Sequence, residues 1–198
     1  MKIVIKILQN NPFLLLIAFI LLLQTGCAAV VVGAGTAAAV ATDKRTAGDM
    51  LEDENIELKF VHNLYKDKQL SAKTHVNATS YNGWLLLTGE APEPAIKQAI
   101  YNLAVNIKNV KRVFNEISIS EPSSISSRTN DTYLTSKIKT SLLANEKTEA
   151  YHVKVVTDNS IVYLMGLITQ EQSAEVINVI QEISGVQRII KLFDYSNY

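Results

Sequence analysis

The apolar residues of this chain recur with a four-residue spacing in two separate stretches. Ile56, Phe60 and Leu64 form the first stretch, and this spacing places apolar side chains on one face of a helix. The second stretch has the same spacing at Leu134, Ile138 and Leu142. The pattern therefore predicts two amphipathic helices with equivalent apolar faces.

Each predicted helix is followed by a stretch in which the apolar period changes to two residues. Residues 75–87 and 152–164 begin with alternating apolar and polar positions and continue as dense apolar runs. Asn82-Gly83 and Asn159-Ser160 interrupt these stretches, and such pairs favour the tight turns that join antiparallel strands. We therefore predict a β hairpin after each helix.

A second helix and a final strand complete each stretch. Pro94 suits the first turn of a helix that continues through Ile107. The counterpart of this helix ends at Gly185. The apolar segments 110–114 and 186–190 then predict one more strand each. The order helix, strand, strand, helix, strand thus occurs twice.

The two stretches are copies of one unit. Gly89 and Gly166 are separated by 77 positions, as are Asn82 and Asn159. We assign both glycines a structural role, because each closes the second strand of its hairpin where the chain must turn tightly or leave room for a helix.

The predicted fold class is α+β, with two tandem domains that each pack two helices on a three-stranded mixed sheet. The domains occupy residues 53–120 and 131–198, and a serine-rich linker at 121–130 joins them.

Residues 1–26 have the three-part layout of a secretory signal peptide. Two lysines precede an almost wholly apolar run at 12–23, which is shorter than the roughly 20 residues that a membrane-spanning helix needs. Gly26-Cys27 follows this run and resembles a lipobox. We therefore expect cleavage before Cys27, lipid attachment to its sulfur, and a flexible tether over residues 27–52. The alternative is an uncleaved anchor over residues 12–41.

Composition and charge narrow the classes of function. The 198 residues include 19 basic and 19 acidic side chains, and removal of residues 1–26 leaves 17 and 19, a formal charge of −2. Such a chain has no strong field that would attract nucleic acid. A single cysteine forms no internal disulfide, and the histidines, serines and carboxylates show no catalytic or metal-binding spacing. We predict no enzymatic activity, no metal and no cofactor.

The repeated units resemble the BON domain, a small αββαβ module of bacterial envelope proteins. Segments 130–133, 162–167 and 184–188 carry the resemblance. Two such units after a lipobox are similar to a family of outer-membrane lipoproteins associated with cell division and outer-membrane stress. This similarity implies a protein that faces the periplasm and is held to the outer membrane by lipid on Cys27. It also implies binding of anionic phospholipid, phosphatidylglycerol or cardiolipin, through the second domain, and a role in envelope integrity at the division site.

The first helix of the second domain contains the candidate binding residues. At 100° per residue, Tyr133 and Lys137 lie well away from the centre of the apolar arc. An aromatic ring with a polar tip suits the membrane interface, and lysines attract anionic headgroups. The candidate phospholipid-binding residues are Tyr133, Leu134, Lys137, Lys139 and Thr140.

Two other functions stay open at the level of the sequence. In the first, the protein is an adaptor that docks on an envelope protein assembly and uses lipid only as its anchor. In the second, it is an envelope hydrolase, which requires a buried pair of titratable groups in a cleft. The alternative interpretation of Tyr133 is structural, with its side chain packed on the linker or on the first domain.

Overall fold

Two αββαβ units follow one another in the computed structural model, which describes residues 43–148 and 150–195. This arrangement confirms the predicted fold class. The predicted signal peptide, Cys27 and the tether as far as Thr42 lie outside the described residues. No helix within the described residues has the length and apolar character needed to cross a membrane.

The first domain begins with a long helix and contains one short extra helix. Its elements are α1 (Ala47–Lys66), α2 (Lys68–Ser71), β1 (His75–Tyr81), β2 (Trp84–Ala91), α3 (Pro94–Val105), β3 (Arg112–Asn115) and β4 (Ser118–Ile119).

The second domain repeats this order with a single continuous last strand. Its elements are α4 (Ile125–Ala144), two short 3-10 turns (Glu146–Thr148 and Ala150–His152), β5 (Val153–Asp158), β6 (Ile161–Leu167), α5 (Gln170–Gln181) and β7 (Arg188–Asp194).

Both long helices begin earlier than predicted. Helix α1 starts at Ala47, inside the predicted tether, because Thr46 and Asp49 form a reciprocal capping box at its first turn. Helix α4 starts at Ile125, inside the predicted linker, where the Ser124 side chain accepts a hydrogen bond from the Ser127 amide. The serine-rich composition that suggests a linker therefore includes a helix cap.

The second strand of each domain lies at the centre of its sheet. Strand β2 pairs antiparallel with β1 and parallel with β3 and β4, and β6 pairs antiparallel with β5 and parallel with β7. The predicted hairpin turns are present. Asn82, Gly83, Asn159 and Ser160 all have positive φ angles, as the two central residues of a type I′ turn require.

One face of each sheet packs against its own two helices. In the first domain, Leu85 and Leu87 of β2 contact a core that includes Ile56 and Phe60 of α1. The core of the second domain is built in the same way, from Val162, Leu164, Leu134, Ile138 and Leu142. Each domain therefore has its own hydrophobic core.

A third apolar cluster lies between the two sheets. Leu86, which points away from the core of the first domain, joins Tyr163 and Met165 of β6 there. Tyr81, Leu167 and Leu192 complete this intersheet layer. The central strands are thus buried on both faces, which explains why their sequences are dense apolar runs rather than alternating ones.

Polar contacts border the intersheet layer. The Asn159 side-chain amide donates to Glu90 Oε1 at 2.9 Å, and the Gly89 amide donates to Asp158 Oδ2 at 3.2 Å. On another side, Lys154 Nζ donates to Glu57 Oε1 at 2.9 Å. The two domains are therefore held together by polar groups as well as by apolar packing.

Candidate functional site

A buried carboxylate sets the position of helix α4. Asp131 is 6% exposed, and its two oxygens accept hydrogen bonds from the Asn159 amide at 2.9 Å and the Ser160 amide at 2.8 Å. The helix is thereby attached to the turn between β5 and β6. Since Leu134, Ile138 and Leu142 fill the core below it, the opposite face of α4 points to solvent.

This outward face of α4 carries exposed apolar side chains. Ile125 is 77% exposed, Tyr133 66% and Leu143 55%. Between Ile125 and Tyr195, over the residues that the structure describes, these are the large hydrophobic side chains with high exposure. Their concentration on one helix face is typical of a surface that contacts a partner or a membrane.

The hydroxyl groups on the same face are satisfied by the helix itself. Thr129, Thr132, Ser136 and Thr140 each donate to the backbone carbonyl four residues earlier, at 2.9 to 3.0 Å. Such a bond satisfies the donor of each hydroxyl and leaves only its acceptor lone pairs for water. The face therefore loses less hydrogen bonding on entering an apolar environment than its serine and threonine content suggests.

Lysines border this face on both sides. Lys137 lies on one border, where its ammonium donates to the Ser184 hydroxyl at 3.2 Å, and Lys139 lies on the other, exposed. From residue 132 to residue 145 the sequence contains no acidic residue. The outward face of α4 and its two borders therefore carry lysines and no acidic residue, which favours an anionic surface.

An apolar notch of about 220 Å³ opens beside the end of α4. Its wall combines the helix with the 3-10 turn and strand that follow, through Lys139, Leu142, Leu143, Ala150, Val153 and Val155. The notch places aliphatic side chains next to the stem of a lysine. Such a combination suits a hydrocarbon chain that ends in an anionic group.

The structure separates the predicted binding residues into two groups. Tyr133, Lys139 and Thr140 are exposed on the outward face, and Lys137 is half-buried at its border. Leu134 is 2% exposed within the second core. Its assignment as a phospholipid-binding residue is therefore wrong, because a side chain on the core arc of the helix cannot reach a ligand at the surface.

The two glycines lie within strands and do not close them, contrary to the prediction. A Cβ atom at Gly89 would overlap the His75 carbonyl oxygen, and one at Gly166 would overlap the His152 carbonyl oxygen. Both positions thus require glycine because the neighbouring strand approaches closely, and neither makes room for a helix.

Sequence reasoning missed the buried carboxylates of the two first helices. Asp53 is the counterpart of Asp131 and accepts hydrogen bonds from the Asn82 and Gly83 amides, both at 2.8 Å. Arg45 Nη1 also donates to Asp53, at 2.8 Å. The signal was available, since an aspartate stands three residues before the first core residue of both helices.

The family of this protein is identified by sequence matches that cover most of the chain. The family model for the BON domain matches twice, at residues 52–121 and 130–197. The chain therefore belongs to the BON-domain family, and within it to the outer-membrane lipoproteins of the DolP kind.

Three relatives illustrate this membership. The chain is 39% identical over 171 residues to the outer membrane lipoprotein DolP of Haemophilus influenzae, with 86% of this chain and 89% of the relative covered. It is 35% identical over 153 residues to a 21 kDa hemolysin of Actinobacillus pleuropneumoniae, covering 77% and 79%. It is 27% identical over 150 residues to the osmotically-inducible protein Y of Escherichia coli, covering 72% of each.

Proposed function

We propose that this protein binds anionic phospholipid, phosphatidylglycerol or cardiolipin, through the outward face of α4, while lipid on Cys27 anchors it in the outer membrane. The observation that carries the proposal is the make-up of this face. Exposed Ile125, Tyr133 and Leu143 lie among hydroxyls that bond to their own helix, with lysines on both borders. Exposed apolar and aromatic side chains with lysines beside them suit contact with the interface of an anionic membrane.

Each group on the face has a role in this binding. The Tyr133 ring lies at the level of the headgroups, where its apolar body and polar tip are both solvated. Lys137 and Lys139 pair with headgroup phosphates. The notch beside Leu143 takes part of an acyl chain, and Lys139 at its rim holds the anionic end of the same lipid.

We further propose that this contact supports envelope integrity, including at the division site, as the resemblance to dual BON-domain lipoproteins implies. The relevant test compares cells that carry the natural chain with cells that carry Tyr133→Ala at equal abundance. Increased sensitivity of the variant cells to detergent is the expected result, because the lipid contact is lost while the fold is kept.

Vesicle binding tests the α4 face directly. A chain that starts at Asp43 keeps every contact described above and lacks Cys27, so its membrane affinity does not depend on the anchor. We expect it to co-sediment with vesicles that contain phosphatidylglycerol and to bind neutral phosphatidylcholine vesicles weakly. In the same chain Tyr133→Ala should weaken binding about tenfold, since an exposed aromatic ring contributes roughly 1–2 kcal/mol on burial.

The matched control is Ile119→Ala, which shortens another exposed apolar side chain, 48% exposed, on the first domain. It should leave vesicle binding unchanged, and circular dichroism should be the same for both variants. Equal binding by Tyr133→Ala and the unmodified chain contradicts the proposal and favours the adaptor function instead.

The anchor is tested by the intact mass of the protein purified from bacterial membranes. We expect the mass of a polypeptide that starts at Cys27 plus a diacylglycerol group and one further acyl chain. A protein that retains Met1 and carries no fatty acid contradicts this part of the proposal, whatever the vesicle experiment shows.

A further inference from the structure

Helix α1 of the first domain has an exposed apolar stripe that the fold does not cover. Leu51 is 63% exposed, Leu58 62% and Tyr65 63%, and these three residues follow one another at intervals of seven. Val61, 42% exposed, lies beside them. The other side of the helix fills the first core, so the stripe points away from the protein. A seven-residue apolar repeat is one of the two interleaved repeats by which one helix packs along another, and Val61 contributes to the second.

Charge is divided between the two halves of α1. Asp49, Glu52 and Glu54 lie in its first half, whereas Lys59 and Lys66 lie in the second half. The second half also contains Glu57, but its carboxylate is paired with Lys154 of the second domain at 2.9 Å. Two copies of this helix placed side by side in opposite directions would bring the acidic half of each against the basic half of the other. A parallel arrangement would bring like charges together, which disfavours it.

The stripe on α1 differs from the outward face of α4 in the charge of the residues around it. The two helices occupy the same position in the repeat, but the first half of α1 is acidic and α4 has no acidic residue on its outward face. Acidic side chains next to apolar ones are repelled by an anionic membrane. The occupant of the stripe is therefore better sought among proteins than among lipids.

We propose that α1 docks on α1 of a second copy of this chain, antiparallel, with a two-fold axis close to Leu58. On that axis the Leu58 side chains of the two copies meet. Leu51 of each copy then lies opposite Tyr65 of the other, and Glu54 lies opposite His62. The contact uses the same surface on both copies and closes on itself, so it produces a dimer and not a chain of molecules.

The affinity of this dimer is expected to be modest. A contact made by one pair of helices buries less than the roughly 1,600 Å² of a standard interface, so the sedimentation test below has to include high protein concentrations. The inference does not depend on lipid binding by α4.

Cross-linking of the full-length chain in detergent tests the two-fold arrangement. Leu58→Cys places two thiols at the axis, and mild oxidation should join them into a disulfide-linked dimer. Lys66→Cys is the matched control on the same helix. Eight residues from the axis, its two thiols would be about 24 Å apart in an antiparallel pair at 1.5 Å per residue. The unmodified chain, with Cys27 alone, controls for that residue.

We expect at least tenfold faster cross-linking of Leu58→Cys than of Lys66→Cys. Equal rates indicate random collision or a parallel pair and overturn the proposal, as does a failure of both to cross-link. Charge reversal provides a second test, in sedimentation of the chain with its native Leu58. Glu54→Lys should weaken dimerisation several-fold, and the double change Glu54→Lys with His62→Glu should restore it. A chain that sediments as a monomer at all concentrations contradicts the dimer.

Discussion

Ser160 adopts a backbone conformation that favours glycine. Its φ angle is 61°, and the equivalent position in the first domain is Gly83, with φ 77°. A side chain in this left-handed region costs about 1 kcal/mol. The Ser160 amide donates to Asp131 at 2.8 Å, and glycine keeps that amide. The second hairpin is therefore strained at one residue without losing its attachment to α4.

We predict that Ser160→Gly raises the free energy of unfolding by about 0.5–1 kcal/mol, because it relieves the strain at little cost in contacts. Urea denaturation of the chain from Asp43 measures the change. The reciprocal change Gly83→Ser should destabilise, since a Cβ atom there would lie 3.1 Å from the Asn109 carbonyl oxygen. No gain in Ser160→Gly would show that the hairpin tolerates the serine without strain.

At the level of elements, apolar spacing predicted the helices because each long helix buries a single continuous face. Dense apolar runs predicted the central strands because these are buried on both faces. The starts of α1 and α4 were not predicted correctly, since they are set by the polar caps Thr46 and Ser124. Composition assigns such residues to linkers. The spacing of Thr46 and Asp49 fits a capping box, but this signal has to compete with a composition that also suits a linker.

The candidate site was predicted in part for a similar reason. Angular position on a helix places Tyr133, Lys139 and Thr140 outward whatever the rest of the fold does. Ile125 could not be assigned to this face from the sequence, because the start of α4 at Ile125 was not predicted. The notch beside Leu143 was not predicted either. It forms because the turn near Ala150 lies against the end of the helix, and no local sequence pattern specifies that contact.

We predict that the double variant Lys137→Gln with Lys139→Gln weakens binding to phosphatidylglycerol vesicles about thirty-fold at low salt, since each lysine near an anionic surface contributes about 1 kcal/mol. The loss should shrink as salt increases. Lys108→Gln with Lys111→Gln, in the first domain, is the charge-matched control. Equal binding by both double variants would mean that net charge, and not the α4 face, governs the interaction.

At the scale of the whole molecule, the interface between the domains contains the carboxyl group of Asp158, whose surroundings disfavour its negative charge. Burial and the nearby Glu90 raise the pKa of Asp158 to about 6, although the Gly89 amide, which donates to it, opposes that shift. Asp131 adds further negative charge. Glu90 is 1% exposed, and its Oε2 lacks a hydrogen-bond partner among the described residues. Negative charge therefore accumulates where the two sheets meet.

The sign of the pH effect follows from the raised pKa. Between about pH 4 and pH 6 the folded protein holds a proton on Asp158 that the unfolded chain has released, so stability falls as pH rises through this range. We predict that Asp158→Asn stabilises the protein at pH 7.5 and that the gain disappears near pH 4.

Denaturant unfolding at the two pH values measures this difference. The control is Glu121→Gln, which removes the same charge from an exposed position and should change stability little at either pH. A gain from Asp158→Asn that is equal at both pH values would show that its cause is packing and not ionisation.

Whole-molecule arrangement was the part of the fold least accessible to sequence. The dense runs in β2 and β6 indicate strands that are buried on both faces, but they do not identify what covers the second face. In this protein each sheet covers the other, and that pairing depends on Leu86, Tyr163 and Met165 being brought together from separate domains.

The intersheet layer also determines the direction in which the molecule presents its two outer helices. Because each sheet has its helices on the side remote from the other sheet, the outer surfaces of α1 and α4 look opposite ways. A molecule resting on a bilayer through α4 would hold α1 towards the aqueous space. Two molecules joined back to back through α1 would then present their α4 faces at opposite extremities, so a single flat bilayer would contact one of the two faces.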